Sequence, residues 1–181
     1  VYRNKAKIND DIYVSGNLGD SYLGLLILKK KIHVSNLLKN YFINQYYKPN
    51  IKYKLANILK NFANTSIDVS DGLLSDLDKM LNTQKLSYKL YLRDVPISSN
   101  LKKVLNSKNL SKINFISKGD DYQILFTASV SKRRIIENIS SNFKIKLTKI
   151  GSIITASAKS SIIDNKNKPI KLKNKGYLHL F

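Results

Sequence analysis

Residues 66–77 read Ser66-Ile67-Asp68-Val69-Ser70-Asp71-Gly72-Leu73-Leu74-Ser75-Asp76-Leu77, and the fold class follows from how this stretch is read. Thr65–Val69 has the length and the β-branched character of a buried strand. Ser70, Asp71 and Gly72 are turn residues, each able to bend the chain or bond its own backbone. Leu73 opens an apolar pattern at helical spacing that predicts a helix to about Asn82. A strand thus passes through a three-residue turn straight into a helix.

The same grammar extends in both directions. Upstream, Ile12–Ser15 reads as a strand, residues 16–21 as a turn, and Asp20 or Ser21 as the cap of a helix through Leu28. Ser35 opens a second helix to about Tyr46 with Leu37, Leu38, Tyr41 and Phe42 on one face, and Pro49 stops it. A third helix covers Tyr53–Ala63. Downstream, Leu86–Leu92 alternates as a strand, Ser98 or Ser99 starts a helix to about Leu105, and Gln123–Ala128 is a strand. Ser131–Asn142 reads as a helix, Ile145–Ile154 as a strand, and Ser160–Lys173 as a hairpin around Asn165-Lys166-Asn167. The tail from Gly176 to Phe181 is apolar enough to dock. Strands alternate with helices but hairpins occur too, so the expected fold is a layered α+β domain, a mixed β-sheet packed against helices. With no internal repeat and no long linker, residues 1–181 are read as one domain.

Composition narrows the function. The chain has 181 residues, 43% hydrophobic and 24% charged, the proportions of a chain that folds around a core. It has no cysteine, so neither disulfides nor thiolate metal sites arise. No apolar run approaches the roughly 18 residues of a membrane helix, and no signal peptide is visible, which points to a cytoplasmic protein off the membrane. The first residue is Val1 rather than Met, so sequence upstream of it is expected. The net charge of +20 raises nucleic-acid binding as a possibility. Arginines are few (Arg3, Arg93, Arg133, Arg134) and lysines are scattered along the whole chain, whereas nucleic-acid binders cluster their charge. The joint richness in Lys, Asn and Ile matches AT-rich codon usage instead.

The chemistry-bearing residues sit at the turns. Asp68 ends a strand and Asp71 begins a helix, so two carboxylates three residues apart can converge on a hard cation such as Mg²⁺, which takes oxygen ligands and keeps waters and phosphates as the rest. Ser70 adds a hydroxyl at a helix N-terminus, where free N–H groups favour phosphate. Two alternatives remain at this point: Asp71 as a helix cap and Asp68 as a partner of a nearby amide. Asp76 and Asp78, further along the helix, read as solvated. Gly119-Asp120-Asp121-Tyr122 is a second acidic turn opening a strand, and either a cation site or a polar turn explains it. Gly16-Asn17-Leu18-Gly19 lacks the Lys of a phosphate-binding P-loop. His33 and His179 belong to no recognisable catalytic set.

Taken in order, these motifs resemble the thiamine-monophosphate kinases, within the wider group of ATP-using enzymes that includes aminoimidazole ribonucleotide synthetase and selenophosphate synthetase. The segment from Arg3 to Gly16 resembles the family's Arg-x-x-Ala-x-x-Gly-Asp-x-Ile-Tyr-Val-x-Gly, and Gly19-Asp20-Ser21 with Gly24-Leu25 continues it. Asp68-Val69-Ser70-Asp71-Gly72-Leu73 matches Asp-x-Ser-Asp-Gly-Leu. The run Gly119–Phe126 resembles Gly-Glu-Asp-Tyr-Glu-Leu-Leu-Phe, and Gly176-Tyr177 with His179 and Phe181 resembles a closing Gly-aromatic-x-His-Phe.

The resemblance implies a synthetase C-terminal-type domain and transfer of the ATP γ-phosphoryl group to thiamine monophosphate with Mg²⁺. It implies Asp68 and Asp71 as Mg²⁺ ligands, Ser70 and Arg3 as contacts to ATP phosphates, Asp120 as a substrate contact and Tyr177 as an aromatic packed on the substrate. Simple docking of the tail is the other reading of Tyr177. The alternative within the same group is a kinase or synthetase acting on a different acceptor. In the family a preceding domain carries further metal-binding aspartates, the ATP-binding glycine-aspartate segment and much of a homodimer interface, so the 181 residues alone are expected to be inactive. Asn9 stands where the family has Gly, a position that suits Asn because Asn accepts positive φ. Asp120 is one methylene shorter than the family's Glu. Pro49-Asn50-Ile51-Lys52 matches Pro-x-Pro-Arg only in part, and Leu180 is an extra residue before Phe181.

Overall fold

The computed structural model describes residues 3–81 and 84–170. Tyr177, and with it the expected docking of the 176–181 tail, lies outside them. Six strands form one sheet: β1 (Asp11–Ser15), β2 (Thr65–Asp68), β3 (Leu86–Tyr91), β4 (Ile124–Ala128), β5 (Leu147–Thr155) and β6 (Ser161–Ile163), in the spatial order β2-β4-β1-β5-β3-β6. All neighbouring pairs are antiparallel except β3 and β6, which run parallel. The sheet is therefore mixed, and the α+β expectation holds. The hairpin expected after Ser160 contributes only β6 and an isolated antiparallel bridge between Ile163 and Pro169 within the described residues.

The helices are α1 (Asp20–Leu28), α2 (Asn36–Tyr47), α3 (Tyr53–Ile58), α4 (Leu73–Leu81), α5 (Ser99–Ser107), α6 (Ile113–Ile116) and α7 (Arg133–Asn142). The third helix is shorter than expected, because a turn of 3₁₀ helix takes over at Leu59–Asn61. The short α6 has no counterpart in the sequence reading. Leu37, expected on the inner face of α2, is 82% exposed, and of that face only Phe42 is fully buried.

Register explains how the sheet keeps two cores apart. Tyr13 lies opposite Phe126, and Val14 opposite Leu125. Side chains alternate faces along each strand, so the first pair points to one side of the sheet and the second to the other. Ile12, Val14 and Leu125 meet α4 through Leu73, Leu74 and Leu77. Tyr13 and Phe126 stack at 5.2 Å between ring centroids and meet Leu55, Phe62 and Ile136 from the opposite side. Each fully buried side chain of this size stabilises the fold by roughly 1.5–3 kcal/mol. A third cluster, with Leu23, Phe42, Leu101 and Phe115, joins α1, α2, α5 and α6. The C-terminal ends of β1, β2 and β3 and the N-terminal ends of β4 and β5 all lie at one end of the sheet. The turns carrying the acidic motifs are gathered there.

Candidate functional site

Three turns meet at that end: residues 16–19 after β1, 69–72 after β2 and 119–123 before β4. The second and third are zipped together by backbone bonds. Asp120 N–H donates to the Ser70 carbonyl at 3.0 Å, Tyr122 N–H to Val69 at 2.9 Å, and Val69 N–H to Gln123 at 2.8 Å. The approach is close enough to require glycine. A Cβ on Gly119 would fall 2.1 Å from the Ser70 carbonyl oxygen, and one on Gly72 would fall 2.3 Å from that of Ser117. Both glycines also have positive φ, +81° and +111°, a region that side chains rarely enter. Asp120 and Tyr122 hold φ of 61° and 49° in the same turn, a conformation that costs about 1 kcal/mol or more for a residue with a side chain.

Two buried carboxylates fix these turns, and the sequence reading missed both. Asp76, expected in solvent, is fully buried. Its Oδ2 accepts N–H bonds from Ser70 and Asp71 at 2.9 Å each and from Gly72 at 3.1 Å. Burial raises its pKa to about 6, against the opposing backbone bonds from Ser70 and Gly72. The signal was an Asp in the first turn of a helix, where it can reach back to unpaired amides.

Asp121 does the same for α1. Its carboxylate accepts from Gly19 N–H at 2.6 Å and Ser21 N–H at 3.3 Å, and burial pushes its pKa up to about 7. Neither Asp20 nor Ser21 is the side-chain cap expected from the sequence. Asp20 instead accepts hydroxyl bonds from Ser98 at 2.7 Å and Tyr41 at 2.9 Å. The first turn joins the third once more through Ser15, whose hydroxyl donates to Gln123 Oε1 at 2.9 Å and accepts from Ile124 N–H at 2.9 Å.

Ser70, Asp71 and Asp120 open together onto one cleft of about 310 Å³, with Lys29 and Lys118 beside them and Leu25 and Tyr46 on its wall. Three of the residues singled out from sequence are thus brought to one place. Asp68 ends β2 with its side chain exposed. Arg3 is exposed, and its charge acts on Asp76, as does that of Asp68. Asp71 is paired with the Lys79 ammonium, which also lies 3.3 Å from Asp76. Among the described residues no three His, Asp or Glu side chains come together as a metal cage. Asp71 already holds the Lys79 ammonium, and Asp68 and Asp71 each carry oxygen donors of the hard kind that Mg²⁺ takes. Asn9 has φ of 69°, as its place in the motif requires.

No family model matches the chain. It is 36% identical over 181 residues, 99% of its length, to the thiamine-monophosphate kinase of Buchnera aphidicola subsp. Acyrthosiphon pisum, and 30% identical over 178 residues to that of Escherichia coli K12. The chain is a homologue of the thiamine-monophosphate kinases. It spans about half the length of these curated relatives, 55% and 54%. The fold agrees. A thiamine-monophosphate kinase structure from Stenotrophomonas maltophilia K279a superposes with a TM-score of 0.79 at 28% identity, over 91% of this chain and 52% of that one. AaThiL complexed with AMPPCP and TMP superposes with a TM-score of 0.79 at 25% identity, over 98% of this chain and 53% of that one. Escherichia coli HypE, at 12% identity and a TM-score of 0.73, shares the fold alone.

Proposed function

We propose that these 181 residues are the C-terminal domain of an enzyme that transfers the γ-phosphoryl group of ATP to thiamine monophosphate, giving thiamine diphosphate. The observation that carries this reading is the joined pair of turns at Ser70–Gly72 and Gly119–Tyr122. They present two acidic side chains and a hydroxyl to one cleft, at positions where the sequence shares the family's motifs, and Lys29 after α1 and Lys118 before the second turn line the same cleft. Similarity to thiamine-monophosphate kinases over nearly the whole chain supports the substrate, and AaThiL complexed with AMPPCP and TMP supports a nucleoside triphosphate and TMP as the two ligands.

Phosphoryl transfer is mostly positioning and charge neutralisation. In this reading Ser70 and Arg3 bind ATP phosphates, and Lys29 and Lys118 add positive charge along the cleft. Asp68 and Asp71 hold Mg²⁺, which supplies neutralisation of the phosphate oxygens, and Lys79 yields its place on Asp71. Asp120 meets the substrate, with Tyr177 packed on it. Asp76 and Asp121 touch neither ligand and keep the turns in place. A preceding domain with further metal-binding and ATP-binding residues completes the site and forms a homodimer, in the cytoplasm. Among the described residues no helix is long and apolar enough to cross a membrane.

The test uses the full-length polypeptide with ATP, Mg²⁺ and thiamine monophosphate, assayed for thiamine diphosphate beside Asp71→Ala. Product from the parent and a loss of at least about 100-fold in the variant is the expected result. A folded parent that binds ATP and makes no thiamine diphosphate overturns the acceptor; an unchanged Asp71→Ala rate overturns the role of this turn.

A further inference from the structure

A cleft of about 770 Å³ lies between the end of β3, the start of β5, and α5 and α6. It shares no lining residue with the cleft of Ser70, Asp71 and Asp120. Its floor is apolar, with Leu92, Val95, Leu105 and Leu110. Its rim carries Lys102, Lys112 and Lys146, while Arg93 is paired with Asp94 at 3.5 Å. Three cations therefore face one partly apolar hollow, and the acid there already has a partner.

Lys112 is the anchored member. Its Nζ donates to the Leu92 carbonyl at 2.6 Å and to that of Arg93 at 3.5 Å. An ammonium has three donors, so one remains for a ligand. The backbone bonds hold the charge in place, and a fixed cation loses little freedom on binding an anion. Lys146 is tethered as well, through Asn17 Oδ1 at 3.1 Å. Burial lowers the Lys112 pKa to about 8; Asp94 opposes the shift, and Lys102 and Lys146 add to it. Cations crowded together with little acid among them gain most from a shared anion.

We propose that this cleft is a binding site for a phosphate monoester with a flat apolar body, its phosphate held by Lys102 and Lys146, its body laid on Leu92, Val95, Leu105 and Leu110, and Lys112 beside that body. Phosphate suits a rim that carries several amines and little free acid, because it offers three acceptor oxygens and up to two negative charges. Nothing in the proposed kinase reaction requires this site.

Pyridoxal phosphate is a probe of the right shape, and it reports its position covalently. The neutral Lys112 amine attacks the aldehyde carbon, water leaves to give an imine, and borohydride delivers hydride to that carbon to fix a secondary amine. The full-length protein is labelled near neutral pH and the modified lysines are mapped by peptide mass. Lys112 is expected to label faster with pyridoxal phosphate than with pyridoxal by about tenfold or more, the increment expected of a charge pair away from bulk water. Phenyl phosphate should protect it. The exposed-site variant Lys102→Gln/Lys146→Gln should lose the phosphate preference while still reacting with pyridoxal, which also checks that the cleft is intact. Equal labelling by the two reagents would mean that the low pKa alone makes Lys112 reactive, and would overturn the proposal. Failure of phenyl phosphate to protect, or no labelling of Lys112 by either reagent, overturns it as well.

Discussion

Replacing Asp76 by Asn tests whether burial or hydrogen bonding governs the carboxylate that holds the Ser70–Gly72 turn. Asp76 is fully buried, yet three backbone amides point at one of its oxygens and Lys79 approaches the other. Burial wins, and the pKa rises from 3.8 to about 6. Between those values the folded protein keeps a proton that the unfolded chain has released. Rising pH therefore favours unfolding, and the loss is complete above the folded value. At 1.36 kcal/mol per unit the change amounts to roughly 3 kcal/mol. Asn retains an oxygen that can accept from the turn and does not titrate. Urea unfolding of parent and Asp76→Asn, measured side by side from about pH 4 to pH 7, lets the other carboxylates cancel. The variant should gain on the parent by roughly 2.4 kcal/mol over that range, since part of the change already lies below pH 4. A difference that stays flat, or a parent that gains on the variant as pH rises, would refute the reasoning, because the amides and Lys79 would then be favouring the ionised form more than burial opposes it. Asp76→Ala provides the complementary measurement. It leaves three amides without an acceptor, and at the acid end it should lose about 2–4 kcal/mol relative to the parent.

Gly119→Ala should destabilise the protein by about 2–4 kcal/mol in chemical denaturation, since positive φ and contact with the Ser70 carbonyl act together; a change within experimental error would show that the two turns are not locked. Phe126→Ala removes the ring stacked on Tyr13 and set edge-on to Phe62, and should cost about 3–5 kcal/mol by urea unfolding. Leu37→Ser should change stability by no more than about 0.5 kcal/mol, because the side chain is 82% exposed; a loss of the size seen on emptying a core site would show that Leu37 is covered.

The strands and most helices were legible because their signals are local. Thr65–Asp68 and Leu73–Leu81 appear where the switch from β-branched residues to helical spacing puts them. Element type was less secure where tertiary packing outweighs periodicity. Leu37 satisfies a helical stripe, but α2 meets its neighbours chiefly through Phe42. The four-residue α6 is too short to show a period at all. The pairing of β6 with β3 is parallel and joins segments about 70 residues apart, a contact that no local pattern announces.

The site was legible as a set of residue types but not as a circuit. Spacing marked Asp68, Ser70, Asp71 and Asp120, and the structure brings Ser70, Asp71 and Asp120 to one cleft. What spacing did not reveal is which acids face solvent and which hold the turns. The amides of residues 70–72 need an acceptor, and the amides at Gly19 and Ser21 need another; the chain supplies them from Asp76, within the same helix, and from Asp121, about 100 residues away. Such a supporting acid looks in sequence like any other Asp, because its role depends on which unpaired N–H groups the fold carries to it. The two adjacent acids of the Gly119–Tyr122 turn are thereby separated in function by backbone geometry alone. With φ of 61°, Asp120 lines the cleft, while its neighbour Asp121 turns inward to cap α1. Exchanging the two environments would need a different turn rather than a different residue, which is why the turn is built on a glycine that a Cβ would drive into Ser70.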